Sequence, residues 1–329
     1  MINKITFLLL GLIFFSCNNL LTATNKKTIM CCYYDISDYK RIQLTEKNID
    51  IIAEQISNSE ADILILAGLK DSAELNSILK KLNGFSFSKI VKTANSATKI
   101  AIVSKITPIE FKALTDLTYN IKKGVPLPIE RGFIHAIFNI SGYILHVFGA
   151  NLKDRRKNPL YNQYDMRRYE ARKLRSLITA TIKKYKKEPA NILLLAGLND
   201  SCAKAPVKDV YNRRFGIPKR LFDLRPVDSL NVSWTELDEN RDEYERIDYA
   251  IVSSGLIPEI VFNETMIIEN QKWRTGGMHR PLLVTISPVN KQLWNNEKIK
   301  KQFPHTIRSA NFKIGQKRKR GTVVSGNPE

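Results

Sequence analysis

The sequence predicts a mixed α/β fold made of two similar halves, each organised around a buried central strand. Two segments nearly repeat each other, ADILILAGLKDS at residues 61–72 and ANILLLAGLNDS at residues 190–201. Strand-like apolar runs alternate with helical patterns around both segments, which is typical of α/β domains. With 329 residues, 43% of them hydrophobic, the chain can bury a sizeable core in one large domain or two small ones.

The first half alternates strands and helices. The predicted elements are a strand at residues 28–37, a helix at 48–57, a strand at 63–66, a helix at 73–82 and a strand at 99–105. The isoleucines at 49, 52 and 56 have helical spacing, which predicts the first helix. The apolar runs at 63–66 and 99–105 are rich in residues that favour strands and are followed by polar turns, so we interpret them as strands.

The second half continues the alternation. The predicted elements are strands at residues 132–140 and 143–152, a helix at 166–187, and strands at 192–195, 246–253 and 281–286. Ser141 and Gly142 mark a hairpin turn between the first two of these strands. Each half therefore contains one copy of the repeated strand.

The N-terminal 17 residues have the features of an export signal. Lys4 precedes an apolar run over residues 5–15, which is shorter than the roughly 20 residues of a membrane-spanning helix. The sequence LIFFSC, which ends at Cys17, resembles the relaxed lipobox of bacterial lipoproteins, especially spirochaetal ones. This resemblance implies that Cys17 is lipidated and anchors an exported protein to a bacterial membrane. Plain secretion, with cleavage near residues 22–24, is the alternative.

We expect four segments along the chain. These are the signal at residues 1–17, a polar linker at 18–27, one domain at 28–289 and a basic tail at 290–329 that contains KIGQKRKR. The apolar pattern fades after residue 289, and basic tails of this kind are more often solvated ends than binding sites.

Charge and cysteine content limit the functional classes. The 52 Lys and Arg outnumber the 32 Asp and Glu, so a charge of +20 favours anionic partners, although a lysine-rich soluble surface would give the same count. Apart from Cys17, the cysteines are Cys31, Cys32 and Cys202. Their number is odd, neighbours in a strand cannot bridge without strain, and no zinc-type Cys/His spacing occurs, so we predict buried free thiols.

Seven segments, in order, resemble the motifs of the endonuclease/exonuclease/phosphatase superfamily, which has the deoxyribonuclease-I-like fold. They are YYDIS, ADILILAGLKD, KIAIVSKITPI, VFGANLKDRR, ILLLAGLNDS, YERIDYAIVSSGL and GMHRPLLVTI, within residues 28–288. The resemblance implies a four-layer α/β/β/α sandwich with pseudo-twofold symmetry. It also explains the near-repeat, because each copy would be the central strand of one half and would lead to the same cleft.

The same resemblance implies that the family's active site is degraded in this chain. Active members hold Mg²⁺ with acidic oxygens and activate water with a histidine. At the matching positions, the metal-binding Glu is Gly68, the phosphate-contacting His is Asn151, and the two acids of the later motifs are Gly197 and Met278. Two family residues remain, Asn199 and His279, and we interpret them as vestigial catalytic residues.

Other residues near these motifs receive binding or structural roles. We predict that Asp35, Asn151, Lys153, Arg155 and Arg156 contact a ligand, and that Arg246 and Asp248 hold strand ends together by charge-assisted hydrogen bonding.

We predict no metal site. Asp35 and Asp200 are the remaining candidates, and a shifted alignment would use Asp71 with Asp200. We also expect His279 to lack an orienting carboxylate and to be a poor general base for that reason. The arginines at 167, 168, 172 and 175 predict a basic surface along the long helix, or simply a solvated helix face.

The sequence therefore predicts an exported, lipid-anchored pseudoenzyme without a cofactor, whose basic surface binds nucleic acid, phospholipid headgroups or another polyanion. One alternative is a divergent Mg²⁺-dependent phosphodiesterase that uses Asp35, Asp200, Asn199 and His279. A structural envelope protein is the other. The oligomeric state and the choice of membrane are not specified by the sequence.

Overall fold

A computed structural model describes residues 28–38, 43–93, 96–121, 125–185, 189–211, 220–239 and 241–288, together with 298, 301 and 302. The predicted signal, Cys17, the linker and nearly all of the predicted tail lie outside these residues. Among the described residues, no helix is both long and apolar enough to cross a bilayer.

The first sheet pairs strands from both ends of the domain. Within the described residues its spatial order is β15 (Met266–Ile267), β16 (Leu282–Ile286), β1 (Ile29–Asp35), β2 (Ile63–Leu69), β4 (Lys99–Ser104) and β3 (Phe87–Val91). β1 runs parallel to β2 and antiparallel to β16, so the sheet is mixed.

The second sheet has the same number of strands in the described part of the chain. Its order is β11 (Leu221–Asp223), β14 (Asp248–Ser253), β10 (Ile192–Gly197), β9 (Tyr143–Asn151), β8 (Phe133–Ile140) and β5 (Glu110–Leu114). Two small hairpins lie outside the sheets and are formed by β6 (Thr118–Asn120) with β7 (Pro126–Pro128) and β12 (Glu236–Asp238) with β13 (Glu243–Glu245).

Helices cover the outer faces of both sheets. They are α1 (Glu46–Asn58), α2 (Ser72–Leu79), α3 (Gln163–Lys184), α4 (Ala205–Tyr211) and the single-turn α5 (Trp273–Gly276). The longer helices begin where side chains accept hydrogen bonds from free backbone N–H groups. Thr45 forms a capping box with Asn48, Asp71 caps α2, and Asn162 caps α3.

Alternation along the central strands produces the four layers. Ile63 and Ile65 of β2 pack in the core between the two sheets, whereas Leu64 and Leu66 pack against α1 and α2. In β10, Leu193 and Leu195 lie in the core between the sheets, and Ile192 and Leu194 lie against α3 and α4. Both faces of these strands are buried, which is why their sequences are continuously apolar. The four-layer α/β/β/α sandwich is therefore confirmed.

The near-repeat corresponds to the central strand of each sheet. β2 lies between a parallel neighbour, β1, and an antiparallel one, β4, and β10 lies in the same way between β9 and β14. β1 contacts β10 and β4 contacts β9 across the interface between the sheets. This arrangement brings the ends of β1, β9 and β10 to one edge of the sandwich.

The long apolar elements were predicted correctly, and the short or half-exposed ones were missed. β3, β5, β6, β7 and β13 are three to five residues long, and most of their residues are half-buried or exposed. The long helix begins at Gln163 and ends at Lys184, close to the predicted 166–187. Cys31 and Cys32 are buried free thiols as expected, while Cys202 is free and only half-buried.

Two of the four histidines in the chain form a pair on the outer face of the second sheet. His135 Nε2 lies 3.1 Å from His146 Nδ1, and His146 Nε2 hydrogen-bonds with Tyr185 at the end of α3. Burial lowers the pKa of each histidine to about 4, and for His135 the nearby His146 adds to this effect. Both imidazoles are therefore neutral at neutral pH.

This pair predicts a loss of stability in mild acid. A folded-state pKa below the ordinary value of about 6.5 contributes stability above pH 6.5, and the contribution disappears as the pH falls through about 4. We expect the free energy of urea unfolding to decline over this window, and to decline less in the double variant His135→Gln/His146→Gln. The same pH dependence of the unfolding free energy in the parent and in the double variant would show that this histidine pair does not cause the decline.

Candidate functional site

The edge where the central strands end brings together the positions that the sequence singled out. Asn151 on β9, Gly197 on β10 and Asp248 on β14 form one row across the second sheet, because Gly197 pairs with both of the other residues. Asp35, at the end of β1, faces this row from the first sheet and accepts a hydrogen bond from Asn151 Nδ2 at 2.6 Å. Residues from both halves therefore share one site.

Asp35 is held by neighbours on both carboxylate oxygens. Oδ1 accepts the backbone N–H of Ser37 at 2.8 Å, and Oδ2 accepts the Asn151 amide. Asn199, whose φ is +54°, donates from Nδ2 to Asn151 Oδ1 and to the carbonyl of Leu152. The predicted ligand-binding residues Asp35 and Asn151 thus bond to one another and form a fixed, buried network.

His279 has an orienting carboxylate, so the expectation that it lacks one is wrong. Its Nδ1 lies 2.7 Å from Asp248 Oδ2, and both side chains are almost fully buried. Asp248 is in turn fixed by Thr235, whose hydroxyl accepts the backbone N–H groups of Ile247 and Asp248. The predicted role of Asp248 at the strand end is therefore corrected to the positioning of His279.

A carboxyl group that the sequence analysis missed lies on the other side of His279. Glu236 Oε1 is 3.8 Å from His279 Nε2, and the backbones of the two residues form an isolated β-bridge. Glu236 lies in β12, a three-residue strand with no apolar periodicity, so the sequence carries no signal for its location. An acid has therefore moved into the cleft from a segment outside the seven motifs.

These acids determine the protonation of His279. Burial alone lowers the pKa of His279, but the charges of Asp248 and Asp35, the hydrogen bond to Asp248 and the charge of Glu236 outweigh burial and raise it to about 10. Burial also raises the pKa of Glu236, although the charge of His279 opposes that shift. His279 is therefore an imidazolium at neutral pH.

The backbone closes the space beside Gly68, where the family's metal-binding Glu would stand. Gly68 has a φ of +81°, and a Cβ there would collide with the backbone nitrogen of Ser37 and lie 2.6 Å from Asp35 Oδ1. A side chain at this position requires movement of backbone, which is costly in a closely packed interior.

A tyrosine closes the space beside Gly197 in the same way. A Cβ at Gly197 would lie 2.6 Å from the hydroxyl of Tyr33 and 3.2 Å from oxygens of Asn151 and Asp248. Tyr33 is fully buried, so its ring cannot swing into solvent. Both lost acids are thus replaced by filled space.

A cavity of about 320 Å³ lies above this closed site. Asn199, Glu236 and Met278 contribute to its floor and connect it to the buried cluster. Its polar rim contains two cations, Arg155 and Arg156, and three further acids, Asp38, Asp238 and Glu239. The cavity therefore has a mixed charge with an excess of carboxylates.

The basic residues near the cavity are paired with acids. Lys153 is 8% exposed and lies 3.1 Å from Glu130 and from Asp154, so two acids already engage its ammonium group. Arg155 binds Glu245 and the carbonyl of Asn199. Arg156 binds Asp154 at 2.6 Å and is 53% exposed. Arg155 and Arg156 retain access to a ligand, and Lys153 does not.

The four arginines predicted to form a basic surface along α3 differ in their surroundings. Arg167 is buried and bonds to Asp200, and Arg175 is buried, which lowers its pKa to about 10. Arg168 and Arg172 share Asp209. These four arginines are therefore buried or paired with an acid, while Lys183 and Lys184 lie exposed at the end of the helix.

Two of the candidate metal ligands, Asp71 and Asp200, make other interactions. Asp200 is committed to Arg167, and Asp71 accepts the N–H groups of Ala73 and Glu74 at the start of α2, so the shifted metal site is not formed. Arg246 makes two hydrogen bonds to Asp223, at 2.9 and 2.7 Å, and thereby ties β14 to β11. Arg246 therefore holds two strand ends together, and its partner is Asp223.

Comparisons with known proteins identify the fold. No family model and no curated protein matches the sequence. An endonuclease/exonuclease/phosphatase family protein from Bacteroides thetaiotaomicron aligns with a TM-score of 0.57 at 12% identity, over 82% of this chain and 99% of that chain. TDP2 from D. rerio, solved with a single-strand DNA product, gives a TM-score of 0.55 at 13% identity, over 79% and 98%.

A third structure with a similar fold is a mannosyl-6-phosphatase from the same Bacteroides species, with a TM-score of 0.53 at 13% identity over 78% of this chain and 99% of that chain. These likenesses establish the fold. The chain has the deoxyribonuclease-I-like architecture of the endonuclease/exonuclease/phosphatase structures, as the sequence motifs implied.

The residues of this cleft do not fit the Mg²⁺ that the fold family implies. Mg²⁺ prefers about six oxygen ligands in octahedral geometry and keeps several waters. Among the described residues, metal-ligating atoms converge within 4.8 Å in a single group, Asp35, Asp248 and His279, and one of the three supplies nitrogen. All three are at most 2% exposed, so a retained hydration shell has no place there.

The closed spaces can be tested with a matched pair of glycines. Gly68 and Gly84 have nearly the same φ, +81° and +83°, but a Cβ at Gly84 meets nothing within 4 Å. Strain from the left-handed backbone is therefore equal, at about 1–2 kcal/mol. We expect Gly68→Ala to lower the free energy of unfolding by roughly 1–3 kcal/mol more than Gly84→Ala, because of overpacking.

The measurement is urea unfolding of the two single variants and the parent. Gly197→Ala provides a second test, because its obstacle is the Tyr33 side chain, and Tyr33→Phe should recover part of its loss. Equal costs for Gly68→Ala and Gly84→Ala would show that the space beside Gly68 is open.

Proposed function

We propose that this protein is an exported, lipid-anchored member of its fold that has lost hydrolytic activity and binds a compact anionic group in the cavity. The observation that carries the proposal is the closure beside Gly68 and Gly197. Other atoms fill the space beside both glycines, so an acidic side chain at either position would have no room.

The protonation of His279 supports the loss of hydrolysis. A general base must accept a proton from the attacking water, and its ideal pKa lies near the working pH. The pKa of His279 is raised to about 10, so at neutral pH the imidazole already carries its proton. His279 therefore stabilises negative charge and does not activate water.

The cavity favours a compact phosphate group over an extended polyanion. Arg155 and Arg156 provide charge-assisted hydrogen-bond donors of the kind that bind phosphate. The carboxylates of Asp38, Asp238 and Glu239 share the rim and would repel the flanking phosphates of a nucleic acid. Among the anionic partners expected from the sequence, a phospholipid headgroup fits this mixed charge best.

A divergent phosphodiesterase is the second candidate, and one observation favours it. The Asp248–His279 pair has the 2.7 Å contact of a carboxylate that orients a catalytic imidazole. Hydrolysis by the purified protein, lost in His279→Gln, would establish this candidate and overturn the proposal.

We expect Arg156→Gln to weaken binding of inorganic phosphate, and of vesicles that contain phosphatidylglycerol, about tenfold. One charge-assisted hydrogen bond contributes about 1.5–3 kcal/mol, and about 1.4 kcal/mol corresponds to a factor of ten. Arg172→Gln is the matched control, since Arg172 is similarly exposed and also shares its acid with another arginine.

Isothermal titration measures phosphate binding, and vesicle flotation measures headgroup binding. A DNA oligonucleotide should bind more weakly than the vesicles and should lose affinity steeply with salt. Equal effects of the two arginine variants, or preferential binding of DNA, would contradict a compact anion in this cavity.

Membrane attachment has its own test. Cys17→Ala should abolish incorporation of a radiolabelled fatty acid and release the protein from the membrane fraction, because a thioether-linked lipid would be the anchor. Phase partitioning in detergent measures the change. Cys31→Ala is the control, since Cys31 is a buried thiol in β1. A parent protein that stays in the aqueous phase would support secretion without an anchor, and a Cys17→Ala variant that still enters the detergent phase would contradict Cys17 as the anchor.

A further inference from the structure

The segment at residues 152–156 carries both arginines of the cavity, and side chains from other elements hold its backbone. Arg131, which precedes β8, donates to the carbonyl oxygen of Leu152 at 2.6 Å. Arg167 on α3 donates to the carbonyl oxygen of Asp154 at 3.0 Å. We call residues 152–156 the arginine segment, and its backbone is fixed by contacts that come from outside it.

Asp154 anchors the side chain of Arg156 within the arginine segment. It is 1% exposed, and its Oδ2 accepts hydrogen bonds from Arg156 Nη2 at 2.6 Å and from Arg131 Nη2 at 2.9 Å. Burial alone would raise the pKa of Asp154, but the hydrogen bond from Arg156 and the charge of Arg131 hold it well below its usual range. The position of Arg156 in the cavity therefore depends on where Asp154 is held.

Glu170 on α3 holds the backbone on both sides of this anchor. Its Oε2 accepts the N–H of Lys153 at 2.6 Å, and its Oε1 accepts the N–H of Glu130 at 3.3 Å. Lys153 directly precedes Asp154, and Glu130 directly precedes Arg131, which binds Asp154. Glu170 is only 1% exposed, so water has little access to replace these bonds. One buried carboxylate therefore joins the arginine segment to the residues that anchor it.

Glu170 changes its charge near neutral pH. The charged and titratable groups that face it are Lys153 after β9, Glu130 and Arg131 before β8, and Tyr119 on β6. Burial raises the pKa of Glu170 to about 7, with a smaller contribution from the charge of Glu130, and the two backbone N–H groups and the charge of Arg131 oppose the shift. The carboxylate therefore gains a proton as the pH falls through about 7.

A proton on Glu170 weakens both of its contacts. One oxygen becomes an O–H donor in place of an acceptor, and the other oxygen loses its charge. Charge-assisted hydrogen bonds are roughly twice as strong as neutral ones, and loss of about 1 kcal/mol corresponds to about a factor of five in an equilibrium constant. Guanidinium groups bind an anion best when they are already held in position, so a looser segment binds it less tightly.

We propose that Glu170 is a positioning residue for anion binding, whose carboxylate holds the arginine segment in place and whose protonation lowers the affinity of the cavity. This role rests on the proposed function, because the anion is the one bound by Arg155 and Arg156. The sign of the effect is distinctive. Protonation of Glu236 or of the rim acids would remove negative charge from the cavity and would strengthen anion binding.

The test is isothermal titration of sulfate into the parent and into Glu170→Gln at about pH 6 and about pH 8. Sulfate keeps its charge over this range, whereas phosphate gains a proton. A glutamine amide has one acceptor oxygen and no charge, so it mimics the protonated carboxyl group at either pH. We expect the parent to bind sulfate about fivefold more tightly than Glu170→Gln at about pH 8, and nearly equally at about pH 6.

Glu259→Gln is the matched control. Glu259 is also a buried glutamate, but it accepts a hydrogen bond from Tyr143, at the end of β9 away from the cavity. This variant should match the parent at both pH values. Thermal melting shows whether each variant is folded. Where Glu170→Gln does not fold, Arg156→Gln gives a second test, because its loss of sulfate affinity relative to the parent should be larger at about pH 8 than at about pH 6.

Failure of this role and failure of the proposed function give different results. If the parent binds sulfate but its advantage over Glu170→Gln does not fall between about pH 8 and about pH 6, Glu170 does not control the arginine segment, and the cavity remains the binding site. The same change in Glu259→Gln would also overturn the role of Glu170. A parent that binds neither sulfate nor phosphate would overturn the proposed function and this role with it.

Discussion

The constraint on which this site depends is the convergence of two central strands on one small, filled volume. β2 and β10 end at the same edge of the sandwich, so the residues at the ends of these strands pack close together. Ser37 occupies the space beside Gly68, and Tyr33 occupies the space beside Gly197. The near-repeated Ala-Gly-Leu therefore places glycine at two positions where a Cβ has no room.

Charge organises the rest of the cleft. Although the chain has a net charge of +20, carboxylates surround its cavity. The nearby cations form ion pairs with acids. The buried part of the cleft is also charged, since the carboxylates of Asp35, Asp248 and Glu236 all raise the pKa of His279. The proton on the His279 imidazole partly balances this buried negative charge.

Several site residues could be predicted from the sequence because they lie on motifs of fixed order. Asp35, Asn151, Asn199 and His279 meet at the predicted edge. Glu236 could not be predicted, because it lies in a three-residue strand without apolar periodicity, and only the bridge to His279 places it in the cleft. The burial of Lys153 beside Asp154 could not be predicted either, because a basic stretch of sequence does not show which of its cations is buried.

The sequence by itself determined the α/β class, the order of the long strands and the presence of glycine at positions 68 and 197. Apolar periodicity and residue identity are local properties, so they can be determined without knowing which residues are in contact. The tertiary structure decided which charges face each other: Asp248 with His279, Arg246 with Asp223 and Arg167 with Asp200. These pairs join residues that are 20 or more positions apart, so packing of the two sheets and their helices, and not local sequence, selects them.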